Sequence, residues 1–452
     1  MANNLSYSSP SGDSDQQPRP GARRALVLLL TINMFNYIDR FVLAAVLVSV
    51  GKDMLAGDDL MDTKKGSLAT AFLLSYMIVS PLFGWLADRF SRWALIGVGV
   101  ILWSLASGAS GLAGSYMPLL ITRLFVGVGE AAYGPVAPTI ISDLYPVSIR
   151  GKILSWFYMA IPVGSALGYA LGGTAASLGN WRWGFYAVVP PGILLGLLCF
   201  FMPEPKRGSA DAVAAPRKAA TRDYLSLFKT PSYVLNCLGM AALTFSVGGM
   251  AQWMPNYVQQ FRHWGDESSV NIVFGAITVV TGIAATLLGG IAGDKLRGRI
   301  RGAYFIVSAI GLLTAFPFFL LMLFVPFPWA WVFVFLAEFC LFFNTGPSNT
   351  ALANVAHPAI RATAFAVNIF FIHALGDAIS PPIIGWLSDI TGGNMNVGFG
   401  AVGAMMIAGA IFWFWGSRYL DHDTENASHQ LDPPQHLPAN KPIPPTAVGP
   451  QG

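Results

Sequence analysis

Charge is what this sequence has least of. Lys, Arg, Asp and Glu make up 11% of its 452 residues, against about a quarter in ordinary soluble domains. A chain so thin in charge cannot give two soluble domains a hydrated surface, although its length would allow them. Cysteine is scarce too. Cys199, Cys237 and Cys340 all fall in apolar runs, so neither a disulfide framework nor paired metal-ligand spacing exists. The sequence has no glycine-rich nucleotide loop, zinc spacing or nucleophile–base pair, so no cofactor, metal or enzyme chemistry is assigned. His422, His429 and His436 are seven apart, but Pro433, Pro434 and Pro438 break any regular helix that would align them. Residues 1–20 are Ser-, Gln- and Pro-rich and lack the basic start and short apolar core of a signal peptide.

What is there is apolar length. Hydrophobic residues make up 54%, and runs long enough to cross a bilayer, about 20 residues each, recur about twelve times. Spans are expected at 24–50, 66–86, 93–113, 117–141, 152–178 and 183–202, then 232–260, 269–291, 303–326, 329–353, 361–387 and 395–417. This is an all-α polytopic membrane protein. A disordered tail is expected over 1–21 and another over 419–452. Six-span units cover 22–202 and 231–418, with a polar central loop at 203–230. With both termini inside, the tails and inner loops carry 20 Lys and Arg. The outer loops carry five, Lys52, Lys64, Lys65, Arg182 and Arg262, and Arg40 and Arg123 lie within spans. The positive-inside rule therefore places both termini in the cytoplasm. The same distribution explains the pI near 8.9 without a nucleic-acid partner.

The halves repeat each other. Gly84-Trp-Leu-Ala-Asp88-Arg89-Phe-Ser-Arg92 follows span 2, and Gly290-Ile-Ala-Gly-Asp294-Lys295-Leu-Arg297 follows span 8. Ile149-Arg150-Gly151 opens span 5, and Ile360-Arg361-Ala362 opens span 11. Duplicated six-span units are the pattern of a transporter with its site between two rocking bundles.

At these residues the chain resembles the major facilitator superfamily. The loop from Gly84 to Arg92 is similar to that superfamily's signature loop. Arg123-x-x-x-Gly127-x-Gly129-Glu130 resembles its span 4 motif, and Gly164, Gly168, Gly172 and Gly173 its glycine-rich span 5. Within the superfamily, Asn36-Tyr37-Ile38-Asp39-Arg40 with Gly129-Glu130-Ala131 resembles the spinster group, which the resemblance associates with sphingosine-1-phosphate and lysophospholipid transport. Two departures matter. Lys295 stands where the first half has Arg89, and span 10 lacks the Arg-to-Glu spacing of span 4. The N-terminal half is therefore expected to carry more of the charge.

Ionisable residues inside a span are costly in hydrocarbon and mark function by default. On a helix Asn33, Asn36, Tyr37 and Arg40 share one polar stripe. Arg123 and Glu130 are seven apart on one face of span 4, at depths that bracket Arg40. An Arg40–Glu130 pair follows, with Asp39 and Arg123 nearby. A carboxylate there is under two opposed influences, burial favouring its neutral form and the guanidinium its charged form. Glu130 and then Asp39, tuned by Arg40, are the expected proton carriers. The bland alternative is a static ion network that fixes the packing of spans 1 and 4.

The second half offers Glu338, and His373 with Asp377, which are i, i+4 and can touch. A histidine paired on its own helix is often only a satisfied core group. Asn36, Tyr37, Arg40, Arg123, Tyr133, Phe157, Tyr169, Trp253, Glu338 and His373 form the expected substrate wall. Two arginines among aromatics suit an anionic head, because the guanidinium fork matches phosphate. Gly84, Asp88, Arg89, Arg92, Asp143, Arg150 and Asp294 lie at the inner end and are expected to form a gating latch between the bundles. Glycines 164, 168 and 172 serve close packing.

The expected function is alternating-access, proton-coupled transport of an amphipathic, lipid-like anion. The partners are the substrate, protons and the bilayer, and the protein is a monomer in a bacterial inner membrane. A small organic anion or drug is the alternative cargo. A non-transporting receptor is disfavoured by short loops that hold no folded domain.

Overall fold

The computed structural model describes residues 17–87, 89–206, 225–356 and 360–427. Asp88, the side chain of Arg150, His429 and His436 lie outside them.

In hydrocarbon every backbone N–H and C=O must find its partner within the segment, so apolar runs of this length become helices. Among the described residues twelve helical passages result. The first six are α1 (Ala22–Met54), α2 (Met61–Ala87), α3 (Arg92–Leu112), α4 (Tyr116–Ala131 continued by Ala137–Leu144), α5 (Val147–Ser177) and α6 (Arg182–Cys199). The next six are α7 (Pro231–Phe261), α8 (Glu267–Arg297), α9 (Ala303–Phe324), α10 (Ala330–Val355), α11 (361–390) and α12 (Met395–Asn426). Local chemistry sets their ends. Ser91 Oγ accepts from Ala94 N at 3.3 Å to cap α3, and the Asp266 carboxylate accepts from Ser268 N and Ser269 N to cap α8. α7 and α11 each contain a π-helical turn, Tyr257–Phe261 and His373–Asp377.

The passages pack as two six-helix bundles, with two apolar clusters mainly in the first and one mainly in the second that takes in Ala44, Ala45 and Tyr169 across the interface. The glycine stripe does what its spacing suggests. A Cβ on Gly164, Gly168 or Gly172 would collide with Met34 O, Ile38 O or the Val42 backbone in turn, so α5 lies directly on α1. Across the interface α2 packs on α11 and α5 on α8, which relates the bundles as a pseudo-symmetric pair.

One boundary differs from the sequence reading. The last helix runs through Asn426, past the end expected at 418, because its polar end is docked. Asp421 accepts from Gly302 N, and Asp423 from Ser232 N, the first turn of α7. The start of the central loop is also fixed, since Arg92 donates to Pro205 O at 2.8 Å and to Glu204 at 2.7 Å.

Candidate functional site

The charged centre forms inside the first bundle as its spacing requires. Arg40 on α1 donates through Nε, at 2.7 Å, and Nη2, at 2.6 Å, to Glu130 Oε2 on α4. Glu130 is fully buried, while the Arg40 side chain stays 19% exposed. The rings of Tyr37, Phe72 and Tyr76 surround the guanidinium with centroids 4.7 to 5.4 Å away, an arrangement that favours a cation over each face. Asn36 sits beside the Glu130 carboxylate, whose Oε1 accepts no hydrogen bond among the described residues. Asp39 points the other way and accepts from Ser107 of α3. It borders a cavity of about 10 Å³ lined also by Trp103, Ser104 and Gly192, room for about one water.

Arg123 is buried with its Nη2 donating to Ser110 Oγ at 3.0 Å and its guanidinium over the Phe185 ring. It interacts electrostatically with Asp39. The structure thus sets a half-open Arg40–Glu130 ion pair beside two enclosed charges, Asp39 and Arg123, which form no direct ion pair among the described residues.

The expected substrate wall is only partly brought together. Arg40, Tyr37 and His373 keep some exposure. Tyr133 donates to Leu29 O, and the Phe157 carbonyl accepts from Asn33, both deep in the first bundle. Tyr169 donates to Ala251 O across the interface, and Trp253 Nε1 to Pro381 O at 3.0 Å. Those four aromatics, and Arg123, are packing elements here rather than an open wall. Their polar tips found backbone carbonyls, which spacing alone does not reveal. In the second bundle Glu338 is buried and accepts from Thr278 and Thr281 of α8 at 3.3 to 3.5 Å. Among the described residues no cation pairs with it. His373 Nδ1 meets Asp377 at 2.9 Å within the π-turn, and its ring lies edge-on to Tyr76 across the interface.

Of the expected latch residues, Arg92, Asp294 and Arg89 bond within their own bundles, while Asp88 and the Arg150 side chain lie outside the described residues. Arg92 joins Asp143 at 2.5 Å within the first bundle. Asp294 accepts from Tyr304 at 2.8 Å within the second. Arg89 donates to Trp85 O and stacks on that ring. Gly84 and Gly290 face open space, with nothing within 4 Å of an added Cβ.

The bundles are instead joined at the opposite end, by residues that the sequence reading passed over. Asp389 at the end of α11 accepts from Asp62 N at 3.1 Å, Thr63 N at 2.8 Å and Thr63 Oγ1 at 2.6 Å, capping α2 from the other bundle. Ser388 donates to Asp62 at 2.9 Å. Lys65 was counted as an outer-loop charge, yet it is buried and reaches Asp62 and Asn256 of α7 at 3.1 and 3.3 Å. Ser49 donates to Glu267, and Asn271 to Ala45 O. A Cβ on Gly66 or Gly385 would collide with Pro381 O or Asp62 O, so the backbones themselves touch. The hydrogen bonds between described residues of the two bundles lie in the half remote from the termini.

Residues 29–380 match the Major Facilitator Superfamily. The chain belongs to that superfamily: it is an integral membrane transporter, not an enzyme. Within it the relatives are spinster proteins. Protein spinster homolog 3 of Danio rerio is 37% identical over 410 residues, 85% of this chain and 81% of that one. The sphingosine-1-phosphate transporter SPNS2 of Danio rerio is 36% identical, over 79% of this chain and 74% of its own. Human protein spinster homolog 1 is 37% identical, over 82% and 74%. The chain is a member of the spinster family. In fold it is similar to a bacterial homolog of the human lysosomal transporter spinster, solved in an inward-facing and unoccupied conformation. The TM-score is 0.75 at 23% identity, over 92% of this chain and 99% of that one. A D-xylose–proton symporter shares the fold at a TM-score of 0.70 and 20% identity, over 86% and 96%.

Proposed function

We propose that this spinster-family transporter couples proton movement to transport of an amphipathic, lipid-like anion of the sphingosine-1-phosphate or lysophospholipid type. The carrying observation is the Arg40–Glu130 pair, with one member buried and the other partly exposed within an aromatic ring. Arg40 is the head-group cation and Glu130 the proton carrier beside it, with Asp39 and Arg123 behind them. When an anionic head draws Arg40 away, Glu130 loses its counter-charge in a buried place and takes up a proton. When the head leaves, Arg40 returns and the proton is released. That exchange ties the two movements together. Glu338 and His373 complete the wall from the second bundle. With the termini in the cytoplasm, as the charge distribution supports, the structure is the inward-open state of a monomer in a bacterial inner membrane.

The test is uptake into proteoliposomes under an imposed pH gradient. Sphingosine-1-phosphate or a lysophospholipid should accumulate, and collapsing the gradient should abolish accumulation. Accumulation of a small organic anion with no response to lipid would hand the site to the alternative cargo.

A further inference from the structure

We infer that the first bundle holds a resident anionic phospholipid of the bilayer, in a groove between α1, α5 and α6 on the side of the termini. The groove encloses about 1140 Å³. Its trough is apolar, made by Val27, Ile153, Trp156, Leu198 and Phe201, and it reaches down to Thr31. Its mouth is cationic, with Arg19, Arg23 and Arg24. From Arg23 to Thr31 is eight residues, about 12 Å of helix, so the charge sits over a trough deep enough for much of an acyl chain. A second pocket of about 420 Å³ shares Arg19, Gly21 and Met202 with the first and adds Lys206.

Arg19, Arg23 and Arg24 thus line the larger pocket, and Arg19 joins it to the smaller one, which Lys206 also lines. The carboxylate of the smaller pocket, Glu204, is already occupied. It accepts from Arg92 Nε at 2.7 Å, Ser91 Oγ at 3.0 Å and Trp93 N at 3.3 Å. Arg23 and Arg24 are exposed and form no ion pair among the described residues. The segment that carries them is fixed, because Arg19 N donates to Leu144 O at 2.9 Å. Chain and charge are thus arranged as an acyl trough beneath a phosphate-binding mouth, and basic clusters at a helix entry attract anionic headgroups. A zwitterionic lipid would leave Arg23 and Arg24 without a net counter-charge.

The occupant is a bilayer lipid rather than cargo. The lining residues of both pockets belong to the first bundle or to the few residues that flank it on either side. The groove therefore keeps its shape as the bundles rock, whereas a cargo site must open and close.

Native mass spectrometry of the full-length protein, titrated with phosphatidylglycerol and phosphatidylcholine of equal chains, tests this. Phosphatidylglycerol should be retained preferentially. Arg23→Ala with Arg24→Ala should cut that preference by about fivefold for each arginine removed. Val27→Trp, which fills the trough and leaves the charges intact, should lower retention of both lipids. Arg299→Ala with Arg301→Ala, in the second bundle, should change neither. Four results would each overturn the inference. The wild type could hold both lipids equally, or the Arg299/Arg301 pair could cost as much as the Arg23/Arg24 pair. Phosphatidylglycerol could bind only after removal of residues 1–16, which would make the chain's own segment the occupant. Excess sphingosine-1-phosphate could displace it, which would make the groove a cargo site.

Discussion

Arg40 is the residue on which the transport reading turns, and its surroundings explain why. Its Nε and Nη2 are held by one oxygen of Glu130, with the Tyr76 ring beside the guanidinium, so an incoming phosphate would compete with that carboxylate for the fork. A charge-assisted hydrogen bond there contributes on the order of 1.5–3 kcal/mol, while the lipid tail contributes about 0.8 kcal/mol per buried methylene. The tail thus supplies most of the affinity and the arginine the choice of head. Arg40→Ala should weaken binding of a phosphate-headed lipid by about tenfold or more, with a neutral lipid of equal chain length hardly affected. Arg40→Lys should recover part of the loss, since it keeps the charge but not the fork. Side-by-side titrations in nanodiscs measure both, and equal losses for the two lipids would assign Arg40 to folding alone. The Arg40–Glu130 pair was legible in the sequence because helix rise fixes the depth of each charge. The places of Tyr133, Phe157, Tyr169 and Trp253 were not. Aromatic content says nothing about which face a ring takes, and each of these tips or backbones is bonded within the packing.

At the scale of elements, the feature with most leverage is the capping of α2 by a side chain of α11. The free N–H groups and positive dipole end of α2 sit on the Asp389 carboxylate, so separating the bundles uncaps a helix. Gly66 and Gly385 let the two backbones meet there. Asp389→Ala removes three accepted bonds at a partly exposed position, a change on the order of 1–2 kcal/mol. That is roughly a tenfold shift toward the state open on the far side. Phe41→Cys, placed where the Phe41 ring lies tilted against Tyr169 in the far half, reports it in a background with Cys199, Cys237 and Cys340 replaced by Ala. Labelling should quicken with Asp389→Ala, and an unchanged rate would deny the cap a gating role. This seal escaped the sequence reading for a physical reason. Asp62, Lys65 and Asp389 stand at span ends, where charged residues are ordinary boundary markers, and nothing local says that their partners are in the other bundle.

For the whole molecule, the twelve passages, the duplication and the superfamily resemblance were all readable, because hydrocarbon forces each apolar run into a helix and duplication leaves its spacing behind. The conformational state was not readable, since one sequence encodes every state of the cycle. The latch motif illustrates this. Gly84 and Gly290 face open space here while Gly66 and Gly385 are pressed on backbone, as expected if the two ends of the interface close in alternation. The end of the last helix was misplaced for a related reason. Asp421, Asp423 and Glu204 read as polar tail and loop, yet each bonds the start of another helix or its flank. The central claim joins these scales: a single buried carboxylate beside the head-group arginine couples protons to a rocking pair of bundles. Glu130→Gln, which keeps the shape and removes the titrating group, tests it most directly in proteoliposomes loaded with sphingosine-1-phosphate. The expected result is loss of pH-gradient-driven uptake with counterflow in the absence of a gradient retained. Full gradient-driven uptake by Glu130→Gln would contradict the account and move the proton carrier to Asp39 or Glu338.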